Sequence, residues 1–366
     1  MGSIIVVKAF KLKDIENTFI IIDATGNQKV TDKLLKYKNK HAILLNVVDV
    51  PEVCDFYFMA LTKNEPLQIA VSSSGASPTV AKYVRDKCQE LIPENMETFL
   101  EELQSKRNNG IIEVEETLEV TRTISSKAYL VGCGLGDPEL LTIRAYNIIK
   151  NVDVVLHDHL ISDEIMSIVP KNVKKIFVGK EKGFHTQSQE EINRLIYKQI
   201  KKGHSVARLK SGDPFIFGRG AEELLYLTQK SIKTEVVPGI SSSVSGPLMA
   251  NIPITTRDYS NAFTVVTAHL KGNAINLEWV PMLKSGNHTV IVLMGLTKAK
   301  EIMEEAKALN INMSLPCAII SNASRKNQSV KIGTLANLHT LALSAKRPAI
   351  IVLGNVVNFL HELEKN

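Results

Sequence analysis

Residues 128–142, AYLVGCGLGDPELLT, run from a short apolar stretch directly into three glycines, an acid and a proline. Residues 128–134 have the make-up of a buried strand. The glycines after them permit positive φ and let backbone approach a ligand, while Asp137 can cap the next helix and Pro138 can open it. A strand that ends this way and resumes as a helix is the unit of an α/β layer. A dinucleotide loop of the GxGxxG kind needs a small third position inside a continuing helix, and Asp137-Pro138 interrupts it. A purely structural strand-to-helix turn accounts for the loop as well as a ligand does.

Downstream the same unit recurs. VDVVLHD (152–158), KKIFVGK (174–180) and HSVARLKSGD (204–213) read as strands, followed in a second half by FTVVTAH (263–269), TVIVLM (289–294), LPCAIIS (315–321) and PAIIVLG (348–354). Helices separate them. In residues 188–203 Ser188 and Glu191 form a capping box, and Ile192, Leu195, Ile196 and Ile200 share one face. Ligands in such sheets gather at the carboxyl ends of strands. Two further loops sit there. In LKSGDPFIFGRG (209–220), Asp213 can accept hydrogen bonds from an amine or a ribose hydroxyl, or can simply cap a tight turn; PGISSS (238–243) repeats the scheme.

Upstream, FIIIDAT (19–25), a helical stretch around residues 31–37 and HAILLNVVD (41–49) form a βαβ pattern. A third predicted strand, LQIAVSS (67–73), leads into a helix that Ser77 caps and Pro78 begins, with Val80, Val84, Cys88 and Leu91 as an apolar stripe. Residues 93–126 turn polar and acidic, which marks a boundary. The chain therefore divides into 1–92, 93–126 and 127–366.

Its 366 residues leave room for two domains. With 44% hydrophobic and 22% charged residues and a mean hydropathy of +0.01, the composition is that of a soluble globular protein. No apolar run approaches the roughly 18 residues of a membrane helix, and the first residues lack the pattern of a signal peptide, so the expected setting is the cytoplasm without membrane attachment. Cys54, Cys88, Cys133 and Cys317 form no CxxC pair, so neither disulfides nor a metal site is expected. Residues 1–126 carry 15 Lys and Arg against 18 Asp and Glu, net −3, whereas residues 127–366 carry 29 against 20, net +9. Basic residues do not interleave with aromatics, which argues against nucleic acid. A polyanionic small molecule and a merely basic soluble surface both remain open.

Taken in order, VGCGLGDPELLT, VVLHDHLIS, VGKEKGFHTQSQEEIN, RLKSGDPFIFGRGAEE, VVPGISS, IPITTRDY, VTAHLK and LMGL resemble the uroporphyrinogen-III C-methyltransferases, members of the tetrapyrrole methylase fold. The resemblance spans residues 128–357. It implies two α/β subdomains preceded by a partial Rossmann-like module, S-adenosylmethionine as cofactor, uroporphyrinogen III as substrate, precorrin-2 as product of two C-methylations, and a homodimer. Carried over residue by residue, the proton acceptor falls on Asp158 and the donor on Lys180. The cofactor positions fall on Leu135, Ser211, Gly212, Asp213, Ile216, Ser241, Ser242, Met294 and Ala323. The substrate's eight carboxylates give the +9 a use, with Arg144, Lys182, Arg219, Arg257 and Lys271 in or beside the motifs. Departures are Leu135 for a usual proline, Ser211 for glycine and His159 for arginine.

NVVDVPEVCDFYF (46–58) and AVSSSGASPTVAKYVRDK (70–87) resemble the precorrin-2 dehydrogenase and ferrochelatase part of siroheme synthase. Asp49 matches that family's residue shared by dehydrogenation and chelation, and Ser73 lies in the serine loop. The pyrophosphate-binding half of a dinucleotide fold is not found in residues 1–25, so NAD is a doubtful cofactor. Three readings follow: a methyltransferase with a remnant module, a multifunctional enzyme that keeps dehydrogenase and chelatase activity, or a non-catalytic tetrapyrrole carrier.

Overall fold

The computed structural model describes residues 5–63, 66–93, 96–111, 113–179, 188–270 and 274–364. The chain divides into two compact units, Met1–Glu113 and Val114–Asn366.

In the first unit β1 (Ile20–Asp23) and β2 (Leu44–Val47) pair in parallel, joined by α1 (Gln28–Lys38). Period-two alternation turns Ile21 inward with Leu45 and Val47, where Ile15, Leu34 and Ile43 complete a small core. β3 (Ala60–Leu61) and β4 (Ala70–Val71) form a separate antiparallel pair. The expected third strand, 67–73, is thus cut to two residues and does not extend the β1–β2 sheet. Its serines explain the stop. Ser73 Oγ donates to Ser77 O and accepts from Ser77 N, each at 3.0 Å, and Ser72 Oγ accepts from Ser74 N, bonds that compete with a strand ladder. α2 (Pro78–Gln89) follows with the Ser77 cap and first-position proline expected, then α3 (Met96–Asn108). The expected apolar stripe is not buried within the described residues: Val80 and Val84 of α2 are exposed, as is Leu91 beyond its end, and the buried position of the helix is Ala81.

The second unit starts with α4 (Val114–Ser125) and continues as β5 (Ala128–Gly132), α5 (Ile143–Asn151), β6 (Val154–His157), α6 (Asp163–Ile168), β7 (Lys174–Phe177), α7 (Gln189–Ile200), β8 (Val206–Lys210), α8 (Gly220–Gln229), β9 (Thr234–Val237) and α9 (Ser242–Leu248). The five strands form one parallel sheet in the order β7-β6-β8-β5-β9. Parallel strands need covering on both faces. Val131, Val155, Ala207 and Leu209 pack with α5 and α6. Leu130, Leu156 and Val206 pack with Ile192, Ile196 and Ile200 of α7 and Leu227 of α8. Pro138 opens a short 3-10 turn capped by Asp137 rather than the helix itself, which begins at Ile143 under a Thr142 cap.

The second half of this unit runs β10 (Ala262–Thr267), β11 (His288–Leu293), α10 (Ala299–Ala308), β12 (Pro316–Ser321), β13 (Ser329–Thr334), α11 (Leu338–Leu343), β14 (Ala349–Leu353) and α12 (Phe359–Leu363). Its sheet, in the order β10-β11-β14-β12-β13, is parallel at β10–β11 and antiparallel elsewhere.

Three strand-end loops of the first sheet meet backbone on backbone. A Cβ on Gly239 would fall 2.3 Å from Gly212 O and 2.6 Å from Gly132 C, so only glycine fits there. Gly134 and Gly212 also exchange backbone hydrogen bonds, at 2.7 and 3.3 Å. Gly239→Ala is expected to destabilise this unit by about 1–3 kcal/mol, because the clash is with backbone and cannot be relieved by a rotamer change. The check is a lowered urea midpoint with unchanged slope.

Candidate functional site

A cavity of about 590 Å³ opens in the second unit at the carboxyl ends of β5, β6 and β8, where the ends of β10, β11 and β12 and the start of antiparallel β14 also lie. Leu135, Asp158, Ser211, Ile216, Ser242, Met294 and Ala323 line it. With Arg219, eight of the positions singled out in the sequence are thereby brought together from loops as far apart as residues 135 and 323. Asp213 and Ser241 are not on that lining. Asp213 Oδ1 accepts from Phe215 N at 2.8 Å and Oδ2 from Gly239 N at 3.2 Å, so its carboxylate caps its own turn and ties the β8 loop to the β9 loop. Ser241 caps α9, its hydroxyl bonded to Ser243 N and Ser243 Oγ. Gly212, at φ +70°, is part of the glycine contact. Lys180, Lys182 and Lys271 lie outside the described residues.

Charge at the cavity floor is organised around β8. Arg208 and Lys210 stand two residues apart and so on one face of a strand whose five residues are all buried. That face meets α7 and α8. Glu223 of α8 has no solvent exposure and accepts from Lys210 Nζ at 2.8 Å and from Gln189 Nε2, at the start of α7, at 2.8 Å. Its Oε1 lies 3.6 Å from Arg208 Nε. Arg208 in turn donates through Nη2 to Asp158 Oδ2 at 2.7 Å and through Nη1 to Leu209 O, while Asp158 Oδ1 accepts from Leu160 N at 2.9 Å. Two cations and two carboxylates thus neutralise one another where a lone charge would be costly. Burial pushes the Lys210 ammonium below its ordinary pKa, with Glu223 opposing the shift. A carboxylate held at a cavity by a buried arginine is equipped to orient a ligand or accept a proton.

Sequence reading did not single out Arg208, Lys210, Glu223 or Gln189, although two basic residues inside an otherwise apolar strand were a visible signal. It also passed over Arg325, whose Nη2 donates to Leu160 O at 2.6 Å and Nε to Leu135 O at 3.3 Å, joining the loop after β12 to those after β5 and β6. A Cβ on Gly136, at φ +128°, would sit 2.8 Å from Arg325 Nε.

The cationic positions separate. Arg219 lines the cavity and pairs with Glu222 through two hydrogen bonds, at 2.7 and 2.9 Å. Arg144 pairs with Glu235, which Lys127 also holds. Arg257 lines a different, polar groove beside Thr255, Asn287 and Asn355, at the edge of the second sheet where β10 and β11 begin. Arg347, not foreseen, lines the cavity with no ion-pair partner among the described residues. His159 packs edge-on against Phe177, their ring centroids 4.5 Å apart. Burial pushes the Cys133 and Cys317 thiols up to about 12, so both remain protonated. Asp49 lies in the first unit, exposed, at φ +65° just after β2. Among the described residues no cluster of His, Cys, Asp or Glu could hold a metal ion, and no helix is long and apolar enough to cross a membrane.

Residues 127–339 match the family model for tetrapyrrole (corrin/porphyrin) methylases, residues 4–60 one for putative NAD(P)-binding, and residues 64–88 one for the central part of sirohaem biosynthesis proteins. A siroheme synthase of Actinobacillus succinogenes is 35% identical, the match covering 96% of this chain and 81% of that one. One of Photorhabdus laumondii is 34% identical over 97% of this chain and 82% of its own. The chain belongs to the siroheme synthase family. Within this siroheme synthase-family chain the second unit carries the methylase fold. The uroporphyrin-III C-methyltransferase of Thermus thermophilus, solved in complex with S-adenosylhomocysteine, superposes with a TM-score of 0.56 at 34% identity and covers 64% of this chain and 100% of that one. A cobalt precorrin-4 methyltransferase, at 22% identity and a TM-score of 0.56, shares the fold.

Proposed function

We propose that the second unit transfers two methyl groups from S-adenosylmethionine to carbons of uroporphyrinogen III, giving precorrin-2, and that residues 1–92 are a remnant of a dehydrogenase and chelatase module. The observation that carries this is the meeting, on one cavity, of glycine-opened strand ends and an aspartate paired to a buried arginine. The tetrapyrrole methylase family and the Thermus thermophilus relative support it.

S-adenosylmethionine fits the residues present. A cavity of this size takes a cofactor-sized ligand. The close-packed glycines leave backbone groups free of side chains, Ser211 and Ser242 offer hydroxyls, and Ile216 and Met294 offer half-exposed apolar surface. Leu135, Ser211, Gly212, Ser242, Met294 and Ala323 would hold it, with Asp213 and Ser241 fixing the loops that do so. The cofactor supplies an electrophilic methyl on a sulfonium, and for each methyl the macrocycle gains it releases one proton. Asp158 accepts that proton, and Lys180 is the proposed donor. The protein's remaining task is alignment.

Arg219 and Arg347 are the basic side chains lining the cavity that suit substrate carboxylates. Arg347→Ala is expected to raise the KM for uroporphyrinogen III about tenfold, about 1.4 kcal/mol for a lost charged contact, and to leave kcat within about twofold. Steady-state kinetics at saturating cofactor is the check. The proposal itself is tested by incubating purified protein with methyl-labelled S-adenosylmethionine and uroporphyrinogen III. Label in the macrocycle supports it; its absence favours a non-catalytic carrier. The matches at residues 4–60 and 64–88 favour a second reading, in which the chain also keeps dehydrogenase and chelatase activity using Asp49 and Ser73.

A further inference from the structure

Glu223 has no obvious reason to be where it is if β8 and α8 only need to pack. It is fully buried, and a leucine there would cost no desolvation. Two features explain it. Its carboxylate takes Lys210 and Gln189 at 2.8 Å, and it is the acid that faces Arg208 Nε, a buried donor atom with no hydrogen-bond partner of its own among the described residues, at 3.6 Å. Arg208 reaches Asp158 with the other end of the same rigid guanidinium. A planar fork that donates Nη1 to the Leu209 carbonyl and has the Glu223 carboxylate in ionic contact 3.6 Å from Nε has restricted freedom to swing, so the position of Nη2 is set by groups behind it. Asp158 then receives one bond from that fork and one from Leu160 N, on opposite oxygens, and this sets the direction of its remaining lone pairs into the cavity.

We propose that Glu223 is a positioning residue for methyl transfer, acting on Asp158 through Arg208 without touching either reactant. The inference rests on the methyltransferase reading and on Asp158 as the proton acceptor. Supporting groups of this kind orient a reacting side chain and lose their influence once that side chain is gone.

The test is a double-mutant cycle on the full chain with Asp158→Asn and Glu223→Gln, read as kcat for methyl transfer and as S-adenosylmethionine affinity by calorimetry. Glu223→Gln is expected to lower kcat at least tenfold with cofactor affinity within about twofold. The double variant is expected to match Asp158→Asn alone, because Glu223 has no route to the chemistry except through Asp158. A merely structural Glu223 would lower kcat by the same factor in both backgrounds, and that result overturns the proposal. So does a kcat for Glu223→Gln within twofold of the unmodified protein. If Glu223→Gln does not fold, Arg208→Lys replaces it in the same cycle, since a lysine keeps the charge but cannot span Glu223 and Asp158 together. The two levels fail separately. No label transfer by the unmodified protein removes the methyltransferase reading and this inference with it. Transfer that survives Asp158→Asn unchanged removes the acceptor assignment and the inference while leaving the activity in place.

Discussion

Asp158→Asn is expected to lower the rate of methyl transfer about 10²- to 10⁴-fold while cofactor affinity stays within about twofold. Asparagine has the shape of the aspartate, but its amide cannot accept a proton and carries no charge for Arg208 Nη2. One of its two ends must also present N–H to a donor, either Arg208 or Leu160 N, so one of the two orienting contacts is lost. That carboxylate reaches the cofactor side of the cavity only indirectly, through Leu160, whose carbonyl Arg325 ties to Leu135. The Gly132, Gly212 and Gly239 contact, the Asp213 turn and the Ser241 cap are all held by other groups. Single-turnover rates with saturating cofactor, set beside calorimetric titration of S-adenosylmethionine, separate the two effects. Turnover equal to that of the unmodified protein would remove Asp158 from the reaction and leave its pairing with Arg208 as a structural ion pair.

Local sequence carries the alternation of strand and helix best in β5 to β9, because those strands are apolar runs followed within three residues by a glycine or an acid, and the side-chain caps of the helices between them use residues within three positions. Ser188 with Glu191 and Thr142 at α5 are of this kind. β13 was not legible. It is an edge strand, SVKIGT, exposed along much of its length, so no apolar pattern marks it, and only pairing with β12 makes it a strand. In α2 the pattern was legible and its consequence was not: Val80 and Val84 keep helical spacing but find no core among the described residues, and Leu91, the next expected member of the stripe, lies past the end of the helix. At the site, sequence supplied the loops and left the wiring out. Asp158 and Arg208 are 50 residues apart and Arg325 and Leu135 are 190 apart, and no local pattern states which charged side chains share a cavity floor. Asp213 shows the reverse limit. Both of its readings were open from sequence, and the backbone donors of Phe215 and Gly239 occupy the carboxylate in the structure.

With precorrin-2 and NAD, the same preparation that methylates uroporphyrinogen III is expected to give no sirohydrochlorin spectrum at a comparable rate. A dinucleotide's pyrophosphate is held where the first strand of a βαβ unit turns into its helix, by free backbone N–H groups and the positive helix end. In the βαβ unit of the first compact unit that turn is Asp23-Ala24-Thr25-Gly26-Asn27, and the N–H groups of Thr25, Asn27 and Lys29 are already committed. Asp23, 3% exposed, accepts from Thr25 N at 3.0 Å, Thr25 Oγ1 at 2.6 Å and Thr31 Oγ1 at 2.6 Å, while Asn27 caps α1 by accepting from Lys29 N at 3.0 Å. Burial raises the pKa of Asp23, but these hydrogen bonds more than offset it and hold the carboxyl below its ordinary value of 3.8. At neutral pH a negative charge therefore occupies the position an anion would need, and a phosphate placed there would meet a like charge in place of a donor. The lone carboxylate of Asp49, exposed after β2, does not supply the missing donors. Iron insertion needs a base near the macrocycle but no nucleotide, so it is scored in a separate assay with sirohydrochlorin and ferrous iron. Methylation in the same tube shows that the second unit is folded, and protection of residues 1–92 from limited proteolysis shows the same for the first, which together make a missing oxidation informative. Oxidation as fast as methylation would mean that NAD is held elsewhere than at the β1–α1 turn, and residues 1–92 would then be a working module and not a remnant.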